Sequence, residues 1–114
     1  MIYQKEIVKE WNIFNINGEM SLNSPEELDN LYDEVRKLVS QGKYKFIFNL
    51  NKVPFLDSSG LSVIVLTLSN AHNNNENIRI CGLNKDTKRA FELLKVDKLI
   101  KYFEDIEQAT IDLA

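Results

Sequence analysis

The residues that most constrain a sequence reading are scarce in this chain. Its 114 residues include one cysteine, one histidine, one tryptophan, two prolines and four glycines. With Cys81 alone, no intramolecular disulfide can form. Its place in an apolar, strand-like run predicts a buried structural thiol rather than a reactive one. One His and one Cys supply no ligand cluster at zinc spacing, so no metal site is expected. A Gly-rich phosphate loop and a dinucleotide fingerprint are both missing, which leaves no cofactor to expect. So little Gly and Pro also argues against long disordered tails.

Other absences bound the location and the partners. No apolar run approaches the roughly 18 residues that span a bilayer. The N-terminal stretch MIYQKEIVKEW lacks the charged start and continuous apolar core of a signal peptide. A cytoplasmic location without a membrane span is therefore expected. The formal charge of −3 shows no basic footprint, so no direct nucleic-acid contact is expected. A local Lys and Arg excess between Lys85 and Lys101 reads as a solvated helix face.

What is present is an ordinary globular composition, 44% hydrophobic and 27% charged, at a length that buries one core. The segments Ile2–Val8 and Trp11–Ile16 are rich in β-branched and aromatic residues and are expected to pair as antiparallel strands. Ser24-Pro25-Glu26-Glu27 supplies an N-cap serine, a proline at the first helical position and a glutamate placed to close a capping box. Leu28, Leu31, Tyr32, Val35, Leu38 and Val39 then follow helical spacing, and Gly42 is placed to end the helix in a left-handed conformation.

Tyr44 to Leu50 (YKFIFNL) reads as a central strand, with Tyr44, Phe46, Phe48 and Leu50 on one face. A helix from Leu61 to Ala71 carries Leu61, Ile64, Val65 and Leu68 on one stripe. Val63 and Leu66 widen its apolar surface, so it is expected to be more buried than the first. Asn77–Cys81 is a short strand, parallel to its predecessor by the strand–helix–strand rule. Asn73-Asn74-Asn75 marks the helix end before it. Asn84 caps a helix through Leu94 that buries Ala90, Phe91 and Leu94. A weak strand at Lys101–Phe103 and a helix from about Asp105 to Leu113 close the chain. The sum is a single α/β domain over residues 1–114, with a mixed four- to five-stranded sheet and about four helices.

FLDSSGL, from Phe55 to Leu61, lies between two of the most apolar segments and admits three readings. Asp57 or Ser58 could simply cap the following helix, with Gly60 permitting close approach in its first turn. A serine nucleophile would call for G-x-S-x-G, and the first glycine is missing. It would also need a base, and His72 lies roughly 20 Å away at the far end of the same helix. Thirdly, a serine at a helix N-terminus presents a hydroxyl where an added phosphate suits the unpaired N–H groups and the helix dipole. Such a phosphate would bring close to two negative charges beside Asp57, switching binding rather than folding.

The segment from Phe46 to Leu61, FIFNLNKVPFLDSSGL, resembles the core signature of the STAS domain of bacterial anti-sigma factor antagonists. Asn17-Gly18-Glu19-Met20 is similar to the family's G-x-[LI] approach to the first helix, and Ile78–Cys81 to the strand that follows the signature. Asn84 through Leu99 resembles a further family helix and loop, so the likeness spans nearly the whole chain. It implies a non-enzymatic interaction module. An anti-sigma factor that is also a serine kinase would phosphorylate Ser58, the serine directly after the Asp, and a metal-dependent serine phosphatase would reverse this. It implies too that Asp57, Ser59, Gly60 and Leu61 shape the loop, and that Asn49, at the end of the central strand, is the polar residue beneath it. Two positions depart from the family pattern. Ser21 stands where many switching members carry an Asp, and Ser62 where many carry a second glycine. Some relatives act instead as scaffold subunits of signalling complexes or lipid transporters, without a phosphorylation switch.

Overall fold

The computed structural model describes residues 1–70, 77–93, 95 and 100–113. Its elements run β1 (Ile2–Val8), β2 (Trp11–Asn17), α1 (Pro25–Ser40), β3 (Phe46–Lys52), α2 (Ser58–Asn70), β4 (Ile78–Cys81), α3 (Lys85–Leu93), β5 (Lys101–Phe103) and α4 (Ile106–Thr110). The order is the one read from hydrophobic periodicity. The five strands form one sheet in chain order, with β1 antiparallel to β2 and every later neighbour parallel.

Alternation along β2 and β3 divides apolar side chains between two faces. Phe14, Phe46 and Phe48 stack, with ring centroids 6.3 and 5.6 Å from Phe14, under α1, α2 and α3 in the main core. The opposite face holds a smaller cluster of Trp11, Ile13, Ile47 and Cys81 beneath Ala109 and Leu113. There Arg79 lies between Trp11 and Phe103, its guanidinium carbon 4.6 and 5.1 Å from the two rings. It donates to the Ala109 carbonyl (2.8 Å) and to Asp112 (2.7 Å), which pins the C-terminal segment to the sheet. Cys81 is the buried structural thiol expected, its pKa pushed up to about 12 by burial and by the Asp105 carboxylate.

Several boundaries move, each for a local reason. The central strand begins at Phe46, two residues later than read, and continues to Lys52 because its pairing with β2 extends to Asn17 and Lys52. Asn49 therefore sits inside the strand, not at its end. Ser24 occupies the N-cap position of α1, but its side chain makes no cap bond; its hydroxyl accepts from the Met1 amine at 3.1 Å. Gly42 does take the left-handed conformation (φ 79°), with its N–H on the Val39 carbonyl. The helix after FLDSS starts at Ser58, three residues before Leu61. Its Leu66 is exposed instead of adding to a buried surface, because α1 alone covers that side. The C-terminal helix is a short piece capped by Asp105, whose carboxylate accepts from the Gln108 N–H at 2.9 Å. The expectations for His72, the Asn73–Asn75 tract, Leu94 and Leu99 fall outside the described residues.

Candidate functional site: the start of helix α2

Residues 53–57 link β3 to α2, and hydrogen bonds hold their backbone at several points. The Val53 N–H returns to the Leu50 carbonyl, and the Asn84 side chain donates to the Pro54 carbonyl at 3.1 Å. Met20 lies alongside, its N–H on the Phe55 carbonyl and its own carbonyl accepting from Asp57 N–H, as a short parallel bridge to Leu56. The connection is thus tied to β3, to the start of α3 and to the segment leading into α1. Backbone satisfaction of this kind makes a loop a fixed platform.

Asp57 is the N-cap. One carboxylate oxygen accepts from the N–H groups of Ser59 (2.9 Å) and Gly60 (3.2 Å), and the other from the Leu22 N–H (3.0 Å). The choice the sequence left between Asp57 and Ser58 is settled in favour of Asp57. Partial burial works to raise its pKa, but the Leu22, Gly60 and Ser59 donors outweigh it and hold the carboxyl below the usual range. A helix start with its dipole and free N–H groups favours the ionised form in the same sense.

Gly60 is dictated by closeness. A Cβ there would sit inside the van der Waals surface of the Met20 carbonyl oxygen and 2.6 Å from the Met20 Cβ. No side chain can be accommodated while Met20 keeps its hydrogen bonds to Phe55 and Asp57. Leu61, one residue on, is buried in the main core and anchors the first turn.

The two serines differ in access. Ser58 is exposed on the first residue of the helix, while Ser59 is half-buried. The Ser58 hydroxyl has no hydrogen-bond partner among the described residues, and its carbonyl accepts from the Ser62 hydroxyl at 2.6 Å. Ser62 therefore braces the turn it joins. Ser21 is buried, and its oxygen accepts from the Asn23 N–H at 3.2 Å beside the residue that reaches Asp57. Asn49 is half-buried on the other face of the sheet, donating to Asn15 at 2.8 Å and accepting from the Asn51 N–H. Asp57, Ser58, Ser59, Gly60, Leu61 and the Ser21 loop are brought together, whereas the hydrogen bonds of Asn49 stay within β2 and β3.

Sequence reasoning missed Met20 and Leu22. Among the described residues Leu22 is the second most exposed large apolar residue, at 72%, after Ile111. Phe55, three residues before Ser58, and Leu66, on the same helix as Ser58, are also exposed. A groove of about 240 Å³ runs between α1 and α2 at the same place, lined by Leu22, Pro25, Tyr32, Ser59, Ser62 and Leu66 among others. The one available signal was an apolar residue in the otherwise polar stretch Ser21-Leu22-Asn23-Ser24. Among the described residues no group of three His, Cys, Asp or Glu could hold a metal ion, and no helix is long and apolar enough to cross a membrane.

A five-stranded mixed sheet with α1, α2 and α3 on one face and α4 on the other is the STAS architecture. The STAS domain model matches residues 3–109, and the chain belongs to that family. An anti-sigma-B factor antagonist of Staphylococcus epidermidis is 27% identical over 92 residues, which cover 81% of this chain and 82% of the relative. Among solved structures, a putative anti-sigma factor antagonist of Thermotoga maritima superposes with a TM-score of 0.82 at 22% identity, covering 96% of this chain and 92% of its own. The anti-sigma factor antagonist SpoIIAA superposes in its unphosphorylated form (TM-score 0.74, 18% identity, 97% and 96% covered). Bacillus SpoIIAA in its phosphorylated form does likewise (TM-score 0.77, 16% identity, 97% of both chains covered).

Proposed function

We propose that this STAS domain is an anti-sigma factor antagonist, a non-enzymatic binding module that a serine kinase switches off by phosphorylating Ser58. The observation that carries the reading is the exposed, unengaged Ser58 hydroxyl on the first residue of α2, directly after an Asp57 that already caps the helix. A kinase can reach Ser58 without unfolding anything, and the cap stays with Asp57. The phosphate places close to two negative charges beside an ionised carboxylate, next to the exposed Leu22 whose N–H Asp57 holds. A partner seated there then meets a hydrated anion and like charge, so binding is lost while the fold is kept. The partner is an anti-sigma factor with serine kinase activity, and a metal-dependent serine phosphatase resets the module.

Incubation with a kinase of that type and ATP is expected to add one phosphate at Ser58, read by peptide mass spectrometry. Ser58→Ala is expected to abolish the labelling and keep partner binding. Ser58→Asp is expected to lose partner binding by at least about tenfold with an unchanged melting curve. Stoichiometric labelling that persists in Ser58→Ala overturns the assignment. Isolation from cells in a multi-subunit assembly without phosphoserine supports the scaffold role instead.

A further inference from the structure

We propose that β1 is a self-recognition edge, through which two copies of this chain join antiparallel into one continuous ten-stranded sheet. The inference stands apart from the Ser58 reading and rests on the outer edge of the sheet. β1 and β5 are the two edge strands, but β5 has only three residues, whereas β1 has seven. A long edge strand presents a row of unpaired N–H and C=O groups, a template for another strand. This one also carries two of the large exposed apolar residues of the molecule, Ile2 at 68% and Ile7 at 57%.

The hairpin fixes which residues face outward. Val8 pairs with Trp11 across the two-residue turn Lys9-Glu10, which makes Val8 and Trp11 a hydrogen-bonded pair. Alternation then commits Val8, Glu6, Gln4 and Ile2 to β2 and turns the N–H and C=O groups of Tyr3, Lys5 and Ile7 outward. A second β1 must therefore pair through these three residues.

Of the registers that keep both faces aligned, one is complementary. With Lys5 opposite Lys5 of the second copy, Tyr3 meets Ile7 and Ile7 meets Tyr3, giving three hydrogen-bonded pairs and about six backbone bonds. On the α1 side Tyr3 packs on Ile7; on the α4 side Ile2 packs on Val8, and Gln4 faces Glu6. The central lysines do not oppose each other bare, because each is held by its own Glu34 at 3.2 Å. Sliding by one step sets Ile2 against Glu6 in one direction, or Glu6 against Glu6 and Val8 against Gln4 in the other. A strand of a different protein has no such symmetry to explain why apolar residues sit at both ends of β1 and charges at its middle.

Sedimentation velocity on the full chain over rising concentration tests this, and a dimer with a dissociation constant on the order of 10–100 μM is expected. Ile7→Lys places a charge at the seam and is expected to weaken association at least about tenfold. It should do so with an unchanged melting curve, since Ile7 is exposed. Leu66→Lys, an exposed apolar residue on α2, is expected to leave the dimer intact. Amide exchange supplies the second readout. Tyr3, Lys5 and Ile7 are expected to gain protection of about tenfold or more as concentration rises, while Gln4 and Glu6 stay protected throughout. A monomer up to about 1 mM, a dimer that survives Ile7→Lys, or protection gained without this alternation overturns the proposal.

Discussion

Two helices of this domain begin with sequences that advertise a cap, and they use it differently. At α1, Ser24-Pro25-Glu26-Glu27 has the full written pattern, yet the Ser24 hydroxyl serves the Met1 amine and makes no bond to the helix. At α2 a plainer Asp57 takes two helix N–H groups and also reaches across to Leu22, 35 residues earlier in the chain. A serine has one small oxygen that nearby donors compete for, whereas a carboxylate has two oxygens and a charge. Asp57 can therefore bind the helix and the neighbouring segment together. The first start is held by its proline and by packing of Leu28 and Leu31. The second is held by polar contacts, and those contacts also set the geometry around Ser58.

The contrast can be broken most strongly at Gly60. Gly60→Ala drives a methyl group into the Met20 carbonyl, and the helix must move or Met20 must release its partners. The expected loss is about 3 kcal/mol in urea denaturation, together with weaker partner binding because the Ser58 platform shifts. Near-normal stability in this variant would show that the close approach to Met20 is not needed.

A smaller effect is expected from Asp57→Ala, which strands three N–H donors and costs about 2 kcal/mol near neutral pH. The loss carries a pH signature. The native pKa of Asp57 lies below its unfolded value, so its contribution is fully present above the unfolded pKa of about 4. It fades as pH falls through the lowered native pKa, where both states bind the proton. The stability gap between wild type and Asp57→Ala is therefore expected to close below about pH 4, and a gap constant with pH would refute the charged cap.

Ser24→Ala should do least, about 0.5 kcal/mol or under, because the helix makes no use of that hydroxyl. A loss near that of Asp57→Ala would mean that Ser24 does cap α1 in solution.

Much of the architecture is legible in the chain. Period-two alternation in Phe46, Phe48 and Leu50, the three-four spacing after Pro25, and Gly42 at the helix end each act over a few residues. Such local physics reads directly from the order of side chains. In the same way DSSG, set between a strand and an apolar helix, marks Asp57, Ser58 and Gly60 as a special helix start. Other features depend on which segments meet. That Ser24 is diverted follows from β1 bringing Met1 beside it. That Leu66 is exposed follows from α1 covering only part of α2. Gly60 needs Met20 against it, Arg79 needs Trp11 and Phe103 around it, and Leu22 gains its place at the site from one carboxylate oxygen of Asp57. The sequence by itself determined the order of elements, the faces of the sheet and the serine on display. Only the tertiary structure decided what surrounds that serine, because those neighbours are joined by contacts between residues far apart in the chain, which no local pattern encodes.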